Sequence, residues 1–542
     1  MVLPSPIDIT PINYLAWGRY LALHPHPDAS WVLNGIKFGF ELDCLHGSLV
    51  SARKNCPSAS AQSQVIDEYL KEEILHHSIA GPFRCPPIMN LHINRFGVIP
   101  KSTPGKWRLI TDLSFPLDGS VNSLIPDSAA QVRYIGIQEA IDKLIFLGAG
   151  ALMAKFDIRR AYRLLPIRTA DRVFLGMRWR GNYYVDLALP FGLRSAPKIF
   201  TKFADVLEFL LSRVGSITHI QHYLDDFFLV GKPNSNECQS ALSTCFHLCR
   251  ELGVPLAEDK TAGPSTVLTF LGVELDSSSM ELRLPQGKIT KIKTELALWV
   301  SKGAGTKRQL LSLIGRLQYC CQAIVLGRPF LRRLIDRSCT VSELHHFVRL
   351  SSWEKDDIKW WDLLFREWNG RSLFLSPKWE KAPEIMVTSD AAGSIGFAAS
   401  FKDDWFAEKW PVGCAELSIA VKEFVPIIIS AKIWGFSWKR QRVAFRCDNM
   451  AVVSCLKNGT CRDRHLSFLL RELSLLAITL SFTFTAIHIP GTMNAKADAL
   501  SRFDFQRFRE LPPKAALKPV KVSQVLTNHL LFPPWMKHGK PC

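Results

Sequence analysis

No run among the 542 residues is apolar enough to cross a bilayer: the longest, such as 424–429, falls far short of the ~20 residues that a membrane helix requires. No secretory signal pattern is present either, so the expectation is a soluble, intracellular protein of the cytoplasm and/or nucleus, with no membrane partner. The 14 cysteines are scattered, with no Cys-x-x-Cys pair and no zinc-knuckle spacing, which argues against a disulfide framework and against a structural metal. Internal repeats are lacking as well. Acidic residues are in deficit, with 49 Asp and Glu against 67 Lys and Arg, a formal charge of +18. That balance suits a phosphate-rich partner without proving one.

The length implies several domains. Residues 1–90 carry two helix-like stretches, 12–23 and 65–77, and form an N-terminal extension of unreadable role. Residues 91–276 alternate short strands, turns and one long helix. Residues 277–380 read as mostly helical: 288–337 are basic and helical, with Thr306 and Gln309 spaced as a capping box, and a Trp-rich stretch at 353–368 leads to a loop at Asn369–Gly370. A new strand pattern starts at Glu384 and runs through a segment ending near 505. Residues 506–542 are rich in Pro and Lys and are expected to be a tail or linker.

Two adjacent carboxylates, Asp225 and Asp226, lie between the apolar runs 218–220 and 227–230. Like charges forced together at the tip of a buried hairpin usually have a cation to neutralise them. A third, Asp157, ends the apolar strand 151–156. Carboxylates delivered from different strands can hold two divalent ions about 3.5–4 Å apart, the arrangement that phosphoryl transfer requires. Between them lie a hairpin around Arg180–Gly181, the loop Leu189–Gly192, and a helix starting near Ser195. Ser195 is placed as its N-cap, Pro197 in its first turn, and Phe200, Phe203, Leu207, Leu210 and Val214 on one apolar face.

This series resembles the reverse transcriptases of retroelements. FDIRRAY (156–162), LPFGLRSAPKIF (189–200) and YLDDFFLVG (223–231) look like their three palm motifs, ELGVPLAEDK (251–260) and FLGVELD (270–276) like the motifs that follow, and GKWRLITDLS (105–114) like the fingers motif. The resemblance implies an α+β multidomain protein: a right-hand polymerase of fingers, palm and thumb, followed by an α/β ribonuclease H-like domain. It also implies that Asp157, Asp225 and Asp226 bind two Mg²⁺ ions, or Mn²⁺ in their place. Arg108 and Lys101 would contact the triphosphate, Tyr162 would exclude a ribose 2′-hydroxyl, and Gly192, next to Phe191, would let the backbone approach the template base pair.

A second set of carboxylates follows. Residues 384–388 read as a strand broken by Ser389–Asp390, 397–401 as a second strand, and 417–434 as a helix carrying Glu423. Strand 442–447 delivers Asp448, and helix 495–501 carries Asp498. Four such groups can converge on two ions for phosphodiester hydrolysis. TSDAAGSIGFAAS (388–400), KEFVP (422–426), CDNMAVV (447–453) and HIPGTMNAKADALSR (488–502) resemble retroelement ribonuclease H domains, which would make Asp390, Glu423, Asp448 and Asp498 the metal ligands. Glu416 competes with Glu423 for the second place. His488 and Asn494 lie in the matched segment but are not assigned to catalysis.

HINRFGVIPKSTPGKWRLITDLS (92–114), SVNSLI (120–125) and the direct run between the two constellations look most like the tyrosine-recombinase retrotransposons of the DIRS and Ngaro groups. Protease and integrase signatures are missing, and His346 and Arg349 mimic a recombinase pair with no tyrosine after Tyr319 to serve them. The resemblance implies an RNA-directed DNA polymerase with ribonuclease H activity, acting on RNA template, DNA primer, RNA–DNA hybrid and dNTPs. Lys288, Lys291, Lys293, Lys307 and Arg308 would track the duplex backbone. A non-catalytic nucleic-acid-binding scaffold on the same fold is the alternative; all seven carboxylates being present speaks against it.

Overall fold

The computed structural model describes residues 3–533 apart from 53, 101–104, 106, 368–370, 374–384 and 512–513. Lys101, Glu384 and the Asn369–Gly370 loop fall outside the described residues. The chain divides into two compact units, Met1–Leu271 with Leu275–Met280, and Gly272–Glu274 with Glu281–Cys542.

The first unit is organised by a four-stranded antiparallel sheet, in the order Ile220–Tyr223, Asp226–Gly231, Leu152–Ile158, Leu256–Ser265. Its central strands are apolar on both faces, as strands covered on both sides must be: Phe156, Phe227, Phe228 and Leu229 are fully buried. The Ala196–Val214 helix lays Phe200, Phe203, Leu207 and Leu210 into the core beside it. Ser195 does not cap that helix. Its backbone is already helical, and its hydroxyl donates instead to the Leu42 carbonyl at 2.8 Å. A second sheet of five strands carries Ile93–Pro100 and Trp107–Asp112 at one side. It includes the expected hairpin, which turns through Arg180 and Gly181 with both φ angles positive, the geometry that a two-residue turn between twisted strands favours.

The N-terminal extension is not a separate domain. Trp17, fully buried, packs its ring 5.0 Å from Phe203 and donates its indole N–H to the Leu252 carbonyl at 3.1 Å. Val32, Ile36, Phe40 and Leu42 join the same core. Helix Ser63–Leu75 packs Ile66 and Leu70 against the five-stranded sheet.

In the second unit, helices Gln286–Lys302 and Lys307–Cys320 bear out the helical reading, and Thr306 and Gln309 form both hydrogen bonds of the capping box. The charges on these helices are partly spent inside the protein. Lys288 donates to the Tyr319 hydroxyl at 2.7 Å and the Gly272 carbonyl at 3.0 Å, and Lys307 to the carbonyls of Val341 and Ser342, so neither ammonium is freely offered to a duplex. Lys291 and Arg308 are exposed. The Trp-rich stretch is the helix Ser352–Glu367, where buried Asp357 pairs with Arg471 of helix Arg464–Thr479.

A five-stranded sheet of the second unit runs Asp404–Lys409, Gly396–Phe401, Ile385–Ala392, Arg442–Cys447, Thr483–His488, antiparallel over the first three strands and parallel over the last three. Ile385–Ala392 continues unbroken through Ser389 and Asp390, because Asp390 pairs with Ala398 across the ladder rather than ending the strand. Helix Ile419–Trp434 is buried on nearly every side, as its lack of a polar face requires. The expected tail is also corrected. Phe508, Leu530 and Leu531 are fully buried in this domain, and helix Gln524–Leu531 is capped by Ser523.

Candidate active sites

The register of the four-stranded sheet sets the first constellation. Asp157 and Asp226 are direct cross-strand partners, and Asp225 stands in the turn between Tyr223 and Asp226, where Leu224 takes a positive φ of 54°. The amide of Ile158 donates to the Asp225 carbonyl at 3.0 Å, which fixes the turn against the neighbouring strand. The three carboxylates of the sequence reading therefore come together at one end of the sheet. Burial raises the Asp226 carboxyl to about 7, with Lys155 opposing and Asp157 and Asp225 reinforcing the shift. Burial also raises Asp225, Asp157 adding to the effect.

A divalent ion fits this chemistry. Asp226 Oδ1 is buried without a hydrogen-bond partner, and Asp157 Oδ2 is held 2.6 Å from the Lys260 ammonium, a single positive charge at the rim of three carboxyl groups. Lys260 was not singled out in the sequence. Its signal was its place as the last residue of the 251–260 segment.

Around the trio, Tyr162 sits in a 3₁₀ turn five residues beyond Asp157. Its ring packs 5.2 Å from Phe191 and 5.3 Å from Phe200. Burial pushes its hydroxyl up to about 12, with Tyr134, Asp225 and Tyr223 adding to the shift. Phe191 is 58 % exposed. Gly192 has φ +92°, and a Cβ there would stand 3.4 Å from the Thr111 carbonyl. The Gly192 loop is pinned by Asn122, which the SVNSLI segment contains. Its amide donates to the Gly192 carbonyl and the Ser114 hydroxyl at 2.9 Å and accepts from the Arg194 amide at 2.8 Å. Arg108 is exposed near the start of its strand, paired in register with Ile99.

The second constellation also assembles. Glu423, Cys447 and Asp448 each present a ligand atom within 4.8 Å of the others. Glu423 accepts from the Ala391 amide at 3.3 Å, which places it beside the strand of Asp390, whereas Glu416 is exposed. Burial, then Asp390 and Asp448, raise Glu423 to about 9, and burial raises Asp390 to about 6 despite the opposing Ser501 hydrogen bond. Asp390 is fixed by Ser501 at 2.5 Å and Asn494 at 3.0 Å. Asp498 contributes to the same field but is bound by Arg502 at 2.6 Å and Arg507 at 3.0 Å. His488 lies at the rim, its Nε2 3.2 Å from the Asp448 carbonyl oxygen. Buried neighbouring carboxylates with raised proton affinity are the donor set a divalent ion requires. Asn494, which the sequence placed in the matched segment without a role, orients Asp390, whereas Ser501 and Arg507 escaped the sequence reading because hydroxyl and guanidinium groups carry no pattern of their own.

Residues 99–275 match the family model for reverse transcriptase (RNA-dependent DNA polymerase). The Tf2-3 and Tf2-7 transposon polyproteins of Schizosaccharomyces pombe are each 22 % identical over 370 residues, covering 65 % of this chain and 25 % of theirs. The chain thus spans about a quarter of the length of the curated relatives it matches. Solved structures of foamy viral protease-reverse transcriptase are also similar. The form with RNA/DNA hybrid has a TM-score of 0.49 at 14 % identity, covering 96 % of this chain and 65 % of that one. A form with dsDNA has a TM-score of 0.47 at 17 % identity, covering 82 % and 72 %. Residues 99–275 are a reverse transcriptase domain, carried by a chain similar to part of a retrotransposon polyprotein.

Proposed function

We propose that this chain copies RNA into DNA and degrades the RNA strand of the resulting hybrid. The observation that carries the first activity is the cross-strand pairing of Asp157 with Asp226, with Asp225 in the adjoining turn, inside the matched domain. Asp157, Asp225 and Asp226 would hold divalent ions, Mg²⁺ or Mn²⁺, which when bound acidify the primer 3′-hydroxyl and neutralise the departing pyrophosphate. The chain's own groups would orient the reactants. Phe191 and Gly192 offer a flat, close platform to the template base pair, the Tyr162 ring closes the space beside the sugar, and Arg108, with Lys101, would pair with the triphosphate of a dNTP.

For hydrolysis, Asp390, Glu423, Asp448 and Asp498 would form the ligand set. Asn494 and Ser501 hold the Asp390 carboxylate in one orientation, and Arg502 and Arg507 do so for Asp498. RNA template, DNA primer and RNA–DNA hybrid are the proposed partners, a soluble intracellular setting the proposed location, and the DIRS and Ngaro retrotransposons the proposed group. Among the described residues no helix is long and apolar enough to cross a membrane.

The test is extension of a primed RNA template with dNTPs and Mg²⁺ by the wild-type chain and by Asp225→Asn/Asp226→Asn. Cleavage of a hybrid without nucleotides is measured beside it, in wild type and Asp448→Asn. Each pair should lose only its own activity. A wild-type chain that binds hybrid and neither extends nor cleaves it would instead be a scaffold.

A further inference from the structure

The charge cluster around Glu73 lies outside both carboxylate sites, yet it holds the two segments that carry Tyr162 and Phe191. Glu73, on helix Ser63–Leu75 of the N-terminal extension, is 5 % exposed. A single carboxylate oxygen, Oε2, accepts from Arg160 at 2.9 Å and from Arg163 at 2.8 Å. These arginines straddle Ala161–Tyr162. Arg160 has left-handed backbone, φ 61°, and its carbonyl accepts from the Arg163 amide at 2.7 Å, so the two tethers bracket one tight turn. Arg160 also donates to the Ser78 hydroxyl at 3.0 Å, and Glu72 lies 3.9 Å from it.

From the same cluster Arg163 reaches the other segment. It pairs with buried Asp186 at 2.7 Å and donates to the Ala188 carbonyl at 3.0 Å, while the Leu187 amide donates to the Ser78 carbonyl at 2.9 Å. Residues 186–188 lead directly into Phe191. The Tyr162 turn and the Phe191 loop, whose rings meet at 5.2 Å, are therefore both fastened to one buried hub. A hydrophobic cluster would have served packing as well or better; an ion cluster of this kind fixes direction as well as contact.

We propose that Glu73 is a positioning residue for sugar selection: through Arg160 and Arg163 it sets the spacing between Tyr162 and Phe191, and so the fit of a deoxyribose against a ribose. This rests on the polymerase reading above. Loosening the hub should admit ribonucleotides while leaving deoxynucleotides served, because Glu73 touches neither substrate.

The experiment compares kcat/KM for a dNTP and for the matching rNTP, on a primed RNA template, in the full-length wild type, Glu73→Gln, Glu73→Asp and Arg160→Gln, with melting curves for each. In Glu73→Gln the dNTP-to-rNTP ratio is expected to fall roughly 10- to 100-fold, the scale of an ångström-level misplacement. The change should come through a lower KM and a higher kcat for the rNTP, and Glu73→Asp should restore part of the ratio. Arg160→Gln, which keeps the buried Glu73–Arg163 pair, should shift the ratio the same way and decides the matter if Glu73→Gln melts without cooperativity. An unchanged ratio, or a parallel fall for both nucleotides, overturns the proposal. Wild-type extension without sugar preference also overturns it, whereas a wild type that does not extend at all overturns the polymerase reading beneath it.

Discussion

Asp226→Asn should make the metal-free protein more stable at alkaline pH, although it removes a residue at the centre of the site. Burial and two neighbouring carboxylates raise the Asp226 carboxyl from 3.8 to about 7. The folded state then holds the proton more tightly than the unfolded chain. Its contribution is fully favourable below about 4, is lost as pH rises toward 7, and is a full penalty at pH 8. A shift of about 3 units at ~1.4 kcal/mol each gives at most roughly 4 kcal/mol. The buried amide gives part of this back, leaving about 1–3 kcal/mol. For a unit of this size, at roughly 2 °C per kcal/mol, the variant should melt about 2–6 °C above wild type at pH 8 in chelator. The gain should shrink toward zero by pH 4.5. Adding Mg²⁺ at pH 8 should raise the wild-type transition of the first unit and leave that of the variant nearly unmoved, since in this unit only the wild type keeps its full set of carboxylates; the second set is intact in both. A variant that melts lower at pH 8, or whose gain is equal at both pH values, would refute the reasoning.

Two further outcomes concern side chains that orient the sites, and a third the packing of the last helix. Asn122→Ala frees the Gly192 carbonyl and the Arg194 amide and should lower kcat/KM for dNTPs roughly tenfold with hybrid affinity unchanged, checked by single-nucleotide incorporation beside a binding titration. Ser501→Ala removes the hydrogen bond that lowers the Asp390 proton affinity; the acid limb of hybrid cleavage should move to higher pH while primer extension keeps its profile. Leu530→Ala opens the fully buried core beneath the last helix and should cost ~2–5 kcal/mol of the second unit's stability, read by calorimetry, and an unchanged transition would return residues 506–533 to the status of a tail.

The sites were legible because carboxylates interrupt apolar runs. Asp157, Asp225, Asp226 and Asp448 each stand where hydrophobic alternation stops, and the strands and helices carrying them keep the expected bounds to within a few residues. Glu423 over Glu416 was a choice that only the Ala391 amide and the Asp448 neighbourhood could support. What stayed hidden was the work of groups whose partners are remote in sequence. Trp17 meets Phe203, Glu73 meets Arg163, and Ser195 turns to Leu42 rather than to its own helix, and none of these pairings has a local period. Lys288 and Lys307 misled for the same reason: a lysine's charge is written in the sequence, but the carbonyl or hydroxyl that takes it is not.

The strand Asp404–Lys409 closes one side of its sheet, and the chain beyond the last carboxylate returns to it. The amide of Ala516 donates to the Asp403 carbonyl, that of Val520 to the Trp405 carbonyl, and the Trp405 indole to the Ala516 carbonyl. A protein fragment cut just after Ser501 would keep all four acidic residues and lose this cover. It would present an open row of peptide groups beside bared Trp405, the kind of edge that recruits another copy of itself. Aggregation of such a fragment would then report a missing lid of backbone, not a defect in the carboxylate cluster, and boundaries for expressing this domain are better drawn beyond Leu531 than at its last motif.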